Sequence, residues 1–133
     1  MPIVIDCSVA ANWCLPDEDE EVAGHALALV SVDGMLVPPL FWYELRNVLI
    51  VGERRQRIEA ADVAAALRLV AALPTRVEPA HDETLLLGLA RSYLLSVYDA
   101  AYLELAKRTR SPLATLDRTL RRAAAAEAVE VVT

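Results

Sequence analysis

The chain has 133 residues, of which 56% are hydrophobic, and a formal net charge of −6. This length and apolar content predict one compact domain with its own core and exclude a disordered chain. Residues 1–45 include eight acidic and no basic residues, whereas residues 46–133 include eleven acidic and thirteen basic ones. This balance excludes a protein that coats nucleic acid with a broad basic surface, but not a narrow basic strip beside an acidic site.

Short apolar runs alternate with segments of helical periodicity along the whole chain. In the first half we predict a strand at 2–5, a short helix from Ser8, a helix opened by the acidic run 17–21, a strand at 35–37, and helices at 40–55 and 60–72. In the second half we predict a strand at 76–78, helices starting at Asp82 and Ser96, a strand at 112–115, a helix at 117–126 and a last strand at 129–132. This alternation predicts an α/β fold with a mainly parallel sheet, in one domain over residues 1–133.

No targeting or membrane segment is indicated. The N-terminal apolar run lacks preceding basic residues and ends at Asp6, and no apolar stretch approaches the ~20 residues of a membrane span. Cys7 and Cys14 are expected to be free, buried thiols, since two cysteines form no disulfide framework. We therefore expect a soluble cytoplasmic protein.

Two acidic residues follow predicted strands. Asp6 ends the first strand, and Asp117 comes directly after the strand that contains Thr115. Because ligand sites of open α/β sheets collect at the carboxyl ends of strands, both residues are candidates for chemistry. Asp is also a favoured helix N-cap, and for either residue alone that structural role explains the sequence equally well.

Glu44 lies in a largely apolar helix, and its neighbours one turn away are mostly apolar. An ionised carboxylate in such a place costs several kcal/mol unless it is paired or bound to a metal. Asn47 is placed to hydrogen-bond it from one turn further on. The structural alternative is a partly exposed Glu44 that pairs with Arg46 or Arg54.

Asp99 repeats this pattern near the start of another apolar helix. Tyr102 and Leu103 share its face. The spacing of Ser96 and Asp99 also resembles an N-terminal capping box, although Glu or Gln is the usual third-position partner. A capping role for Asp99 therefore stays open.

The four acids together carry more weight than any one of them. If they converge, their like charges repel and favour protonation unless a divalent cation neutralises them. A carboxylate-rich site without His or Cys suits Mg²⁺ or Mn²⁺ rather than Zn²⁺, and neither His25 nor His81 has the setting of a ligand. Such a site is suited to phosphodiester hydrolysis, because the cation activates water and stabilises the leaving oxygen.

Four acid-bearing segments lie in a fixed order along the chain: Ile3–Ser8, Val37–Asn47, Ser96–Tyr102 and Ala114–Leu120. In this order and over this length the chain resembles the PIN-domain ribonucleases, of the kind that serves as the VapC toxin of bacterial type II toxin–antitoxin pairs. The resemblance implies a PIN-like three-layer α/β/α sandwich around a mainly parallel sheet, an endoribonuclease activity, a cognate antitoxin that neutralises it, and a homodimer.

The resemblance also implies roles for individual residues. Asp6, Glu44, Asp99 and Asp117 match the acidic quartet around Mg²⁺, for which Mn²⁺ substitutes. Asp6 and Asp99 are the implied direct ligands, and Glu44 and Asp117 are implied to bind directly or through water. Ser8 and Thr115 match hydroxyl residues that orient a carboxylate or a metal-bound water. Cys7 and Leu116 stand where the family often has smaller residues.

An acidic protein that binds RNA still requires basic side chains that neutralise the phosphates. Basic residues cluster at 54–57, 107–110 and 118–122, and Arg118 is the best placed of them to contact an RNA phosphate because it follows Asp117. For each cluster a solvated helix face is the simpler explanation. Trp13, Trp42 and Tyr43 are candidates to stack bases, but core packing explains them more simply.

Two other functions stay open. The first is an inactive PIN-like module that binds protein through its apolar surface. The second is a metal-dependent phosphohydrolase of small phosphates, although enzymes of the haloacid-dehalogenase type place a second Asp where Ser8 stands here.

Overall fold

The computed structural model describes all 133 residues. It contains four strands, β1 (Ile3–Ile5), β2 (Met35–Val37), β3 (Thr75–Val77) and β4 (Leu113–Ala114). Seven helices connect and flank them: α1 (Cys7–Cys14), α2 (Glu21–Asp33), α3 (Leu40–Arg54), α4 (Ala60–Ala71), α5 (Glu83–Tyr93), α6 (Val97–Thr109) and α7 (Arg118–Ala126). The fold is α/β with a parallel sheet, as the sequence predicted.

The four strands form one parallel sheet in the order β3-β2-β1-β4. The chain moves outward from β1 through β2 to β3 and then returns to place β4 on the other side of β1. β1 and β4 are therefore neighbours whose following segments lead in different directions. This switch in strand order leaves a crevice at their carboxyl ends, where ligands of α/β proteins commonly bind.

The core follows from the strand sequences. β1 is an uninterrupted run of β-branched residues, and β1 and β2 are buried along their full length, as expected when helices cover both faces of a parallel sheet. Phe41, Leu45 and Leu49 bring α3 onto this core at helical spacing. The buried strands and helices fix the positions of the chain segments that follow them.

Three local predictions were wrong. The segment 129–132 forms a single bridge, Val131 to Leu113, rather than a strand. The acidic run mostly precedes its helix, which begins at Glu21, and Arg57 pairs with Asp17 and Glu18 at 2.8 and 3.0 Å. Ser8 lies inside α1 instead of capping it, because its hydroxyl is used elsewhere.

None of the helices has both the length and the apolarity that a bilayer crossing requires.

Candidate active site

The four acids selected from the sequence meet in one cavity of about 300 Å³ at the switch in strand order. Asp6 follows β1, Asp117 follows β4, Glu44 projects from α3 and Asp99 from the first turn of α6. The other lining residues are Cys7, Ser8, Asn47 and Val48. No basic side chain lines the cavity, so the protein supplies no counter-charge to these carboxylates there.

Asp6 is the most deeply placed of the four, with 5% of its surface exposed. The hydroxyls of Ser8 and Thr115 both donate to its Oδ2 at 2.7 Å. No fully buried side-chain oxygen in the molecule lacks a hydrogen bond. The other oxygen, Oδ1, accepts no such bond, so it faces the cavity and is available to a ligand.

The same two hydroxyls connect Asp6 to the turn after β4. Ser8 Oγ accepts from the backbone N–H of Leu116 at 3.0 Å, and Thr115 Oγ1 accepts from that of Asp117 at 3.0 Å. Each hydroxyl therefore both donates and accepts, which fixes its rotation. Asp6 and Asp117 are held in register across the β1–β4 crevice by these four bonds.

Asp117 has the capping position that its sequence context allowed. Its Oδ1 accepts from the backbone N–H of Leu120 at 3.1 Å, at the N-terminus of α7. Capping uses that oxygen, while the side chain still lines the cavity. The structural and the chemical interpretation of Asp117 are therefore compatible.

Glu44 is held by a residue that the sequence did not identify. The Tyr102 hydroxyl, from α6, donates to Glu44 Oε1 at 2.5 Å, and Tyr102 is fully buried. Neither Asn47 nor an arginine bonds Glu44, so the expected Asn47 contact and the alternative ion pairs are both absent; Asn47 lines the cavity instead. A tyrosine that shares the helical face of Asp99 is the only sequence signal for this contact.

Asp99 forms half of the expected capping box. Its backbone N–H donates to Ser96 Oγ at 3.0 Å, which caps α6. The Asp99 carboxylate makes no return bond to Ser96, because it points into the cavity with the other acids. Ser96 performs the capping, and the carboxylate of Asp99 lines the cavity.

The electrostatics of the cavity reflect unbalanced negative charge. Burial raises the pKa of Asp6, and the charges of Asp99 and Asp117 raise it further, against the lowering effect of the two hydroxyl bonds. Burial also raises the pKa of Glu44, and the charges of Asp6 and Asp99 raise it further. Burial likewise raises the pKa of Asp99, with a further contribution from the charge of Asp117. Any bound cation would relieve all three effects at once.

The donor chemistry fits a hard divalent cation. Four carboxylates and a hydroxyl supply only oxygen ligands, which Mg²⁺ and Mn²⁺ prefer. No group of three or more His, Cys, Asp or Glu side chains stands in the arrangement of a formed metal cluster. The cavity therefore holds suitable ligand types in one place, and their side chains would complete the coordination when an ion binds.

The remaining polar candidates bring no positive charge to the cavity. Cys7 is a buried thiol whose pKa is raised by burial, which makes it inert as a nucleophile. Arg118 is exposed and does not line the cavity, whereas Arg121 donates to the Thr115 carbonyl at 3.0 Å and steadies the end of β4. Of the basic clusters, Arg57, Lys107 and Arg108 are paired with acids.

Comparison with known proteins identifies the family. The family model described as PIN domain matches residues 3–126, which is most of the chain. No curated protein sequence matches it.

Three solved structures share the fold, all below 25% identity. PAE2754 from Pyrobaculum aerophilum has a TM-score of 0.73 at 21% identity, over 92% of this chain and 84% of that one. VapC20 from Mycobacterium tuberculosis, a toxin that cleaves the sarcin–ricin loop, has a TM-score of 0.61 at 16% identity, over 91% and 94%. FitAcB from Neisseria gonorrhoeae has a TM-score of 0.60 at 19% identity, over 98% and 96%.

Proposed function

The chain belongs to the PIN-domain family, and we propose that it is a Mg²⁺-dependent endoribonuclease that hydrolyses RNA phosphodiester bonds. The observation that carries this proposal is the buried Asp6 carboxylate, which shares one cavity with three other acids and with no cationic side chain. Leaving such a group ionised costs several kcal/mol, so the arrangement is explained by a cation that the protein does not itself provide.

We assign the metal to Asp6 and Asp99, with Glu44 and Asp117 binding directly or through water. A bound divalent cation would activate water at neutral pH and stabilise the charge that develops on the phosphate. Ser8 and Thr115 hold Asp6 Oδ2, so that Oδ1 stays directed at the cavity. Tyr102 orients Glu44, and the N-terminal bond to Leu120 keeps Asp117 at the rim.

We further propose that the chain is the toxin of a toxin–antitoxin pair. Its fold similarity to VapC20, which is a toxin, supports this assignment. An apolar groove of about 490 Å³ between α1, α2 and α4 would receive a segment of the antitoxin; its lining includes Trp13, Leu27, Ile58 and Leu69. The protein is also proposed to act as a homodimer in the cytoplasm.

The direct test is cleavage of RNA by the purified chain, freed of any partner. We expect cleavage with Mg²⁺ or Mn²⁺, arrest by EDTA, and loss of activity in Asp6→Ala and in Asp99→Ala. Asp19→Asn, which removes an exposed acid of the loop before α2, is the matched control and should cleave like the wild type.

Unchanged cleavage in both Asp6→Ala and Asp99→Ala would refute the proposal, since the activity would then come from a contaminant or another site. Hydrolysis of p-nitrophenyl phosphate without cleavage of RNA would favour a small-molecule phosphohydrolase. Absence of both activities, and of any specific divalent site, would favour a protein-interaction module.

A further inference from the structure

A second concavity, of about 480 Å³, lies between α3 and α4. Its charged lining is entirely cationic, from Arg46 on α3 and Arg68 on α4. The other lining residues are Pro39, Trp42, Tyr43, Leu67 and Ala71. In a chain of net charge −6, a depression lined by two arginines and no acid is a local positive region that attracts anions.

The two arginines are free to bind. Neither Arg46 nor Arg68 makes a salt bridge or a side-chain hydrogen bond within the protein, and both are exposed. The Arg46 guanidinium carbon lies 5.9 Å from the centre of the Trp42 ring, a cation–π contact that holds the side chain in place. These guanidinium groups therefore remain available for phosphate oxygens.

Tyr43 adds an aromatic surface to this charge. Its side chain is 76% exposed, contrary to the core-packing role that its sequence context favoured. A large exposed ring beside unpaired arginines gains nothing from the fold, but nucleobases stack on such rings in single-strand-binding proteins. Trp42, which contacts Phe41 edge-on, is only partly buried and forms the floor.

The concavity and the carboxylate cavity lie on either side of the exposed face of α3. Glu44, Asn47 and Val48 line the carboxylate cavity, while Trp42, Tyr43 and Arg46 line the concavity. At 100° per residue, Tyr43 lies on the face next to that of Glu44, so the two sites are about one helix diameter apart. One strand of nucleic acid that passes over α3 reaches both.

We propose that this concavity binds single-stranded RNA next to the scissile phosphate, with one base stacked on Tyr43 and phosphates on Arg46 and Arg68. The inference rests on the proposed function, because it places a substrate track beside the proposed nuclease site. Charge and an exposed ring favour a single strand over a duplex, whose stacked bases offer no free face to Tyr43.

The test uses two measurements on the same variants. The first is binding of a fluorescently labelled single-stranded oligoribonucleotide in EDTA, where nothing is cleaved. Arg46→Gln and Arg68→Gln together should weaken binding at least ~10-fold and reduce the slope of log Kd against log salt by about 1.4, since each phosphate contact contributes about 0.7. Tyr43→Ala should weaken binding about 5-fold or more, while Tyr43→Phe keeps it.

The second measurement is the rate of RNA cleavage in Mg²⁺. The same variants should raise KM with kcat within about twofold of wild type, because they bind substrate without touching the reacting phosphate. Arg91→Gln, which removes one exposed positive charge from α5, controls for the loss of an arginine outside the concavity and should leave both constants unchanged.

The inference would be overturned if the Tyr43 and arginine variants bind single strands as the wild type does. Equal binding of duplex and single-stranded RNA would also overturn it. A change in the oligomeric state of the variants, measured without RNA, would overturn it as well, because it would show that this surface is a contact between copies. If the wild type binds as expected but cleaves no RNA, the proposed function fails and this surface stands.

Discussion

Asp6 and Glu104 are both buried carboxylates, yet the protein treats them in opposite ways. Glu104, on α6, is 2% exposed; it accepts from the Arg108 guanidinium at 2.5 Å and from the backbone N–H of Asp82 at 3.0 Å. Arg108 also donates to the Ala80 carbonyl at 2.7 Å. Glu104 is therefore neutralised by the fold itself, and it joins α6 to the segment before α5.

Asp6 has no such partner. Its two hydrogen bonds come from neutral hydroxyls, while burial raises its pKa and the charges of Asp99 and Asp117 raise it further. The contrast indicates that Glu104 contributes to structure, whereas Asp6 lacks a counter-charge within the fold, as the proposed cation site requires. A buried acid alone is therefore poor evidence of a functional site; the missing counter-charge is what distinguishes one.

The largest expected effect is that substitution of Asp6 lowers activity and not stability, whereas substitution of Glu104 lowers stability and not activity. Asp6→Asn keeps the shape and the hydroxyl bonds but removes the charge, and it should lower RNA cleavage at least ~100-fold with the fold intact. Glu104→Gln should keep the kcat of cleavage and lower the free energy of unfolding by about 2 kcal/mol, less than for a fully buried pair because Arg108 is 28% exposed.

Both variants are measured by cleavage rate and by urea unfolding. An active Asp6→Asn, or a Glu104→Gln that unfolds like the wild type, would remove the distinction between the two carboxylates.

The next effect is on stability without metal. Because the pKa of Asp99 is raised, its protonated form is favoured in the native state. The stability that this adds is present below the ordinary carboxyl pKa of about 4 and is lost as the pH rises through the higher native value. Asp99→Asn should therefore raise Tm at pH 7 in EDTA, and only slightly, because solvent screens the repulsion of a partly exposed carboxylate.

Mg²⁺ should stabilise the wild type in the same assay and have little effect on Asp99→Asn. A lower Tm for Asp99→Asn in EDTA would show that the four acids do not repel one another.

Cleavage should have an acidic limb at a raised pH. The carboxylates must be ionised to hold a cation, and the pKa values of Asp6, Glu44 and Asp99 are all raised. As the pH is lowered, activity should therefore begin to fall at a pH above about 4, which is the pKa typical of exposed carboxyl groups. More Mg²⁺ should move this limb to lower pH, and a limb at 4 that is independent of Mg²⁺ would contradict the account.

The smallest effect concerns Tyr102, which orients Glu44. Tyr102→Phe should lower kcat about 3–10-fold and change the free energy of unfolding by about 1 kcal/mol, since one buried hydrogen bond is lost. Tyr93→Phe is a matched control, because the Tyr93 hydroxyl bonds Glu127 away from the cavity. Equal effects of the two variants on kcat would exclude a positioning role for Tyr102.

The sequence predicted the strands that build the site because β1 and β2 are short runs buried on both faces. It did not predict that residues 129–132 would pair at only one point, since that depends on how Val131 meets Leu113 across the fold. The polar and apolar pattern along a chain reports burial well and pairing length poorly.

The convergence of the four acids in one cavity was predictable from the sequence, and their contacts were not. Glu44 and Asp99 stood out as acids in apolar helices, but Glu104 meets the same criterion. The local signal that sets Glu104 apart is Arg108, one turn further on the same helix. By contrast, the bond from Tyr102 to Glu44 joins residues 58 positions apart, and no local pattern specifies it.

Calorimetric titration of Mn²⁺ into the metal-free protein at neutral pH tests the central claim most directly, because it measures the cation without requiring an RNA substrate. We expect saturable binding in the wild type and in Glu104→Gln, and its loss in Asp6→Asn. Binding that survives in Asp6→Asn, or no specific binding in the wild type, would contradict the claim that these four carboxylates form a cation site.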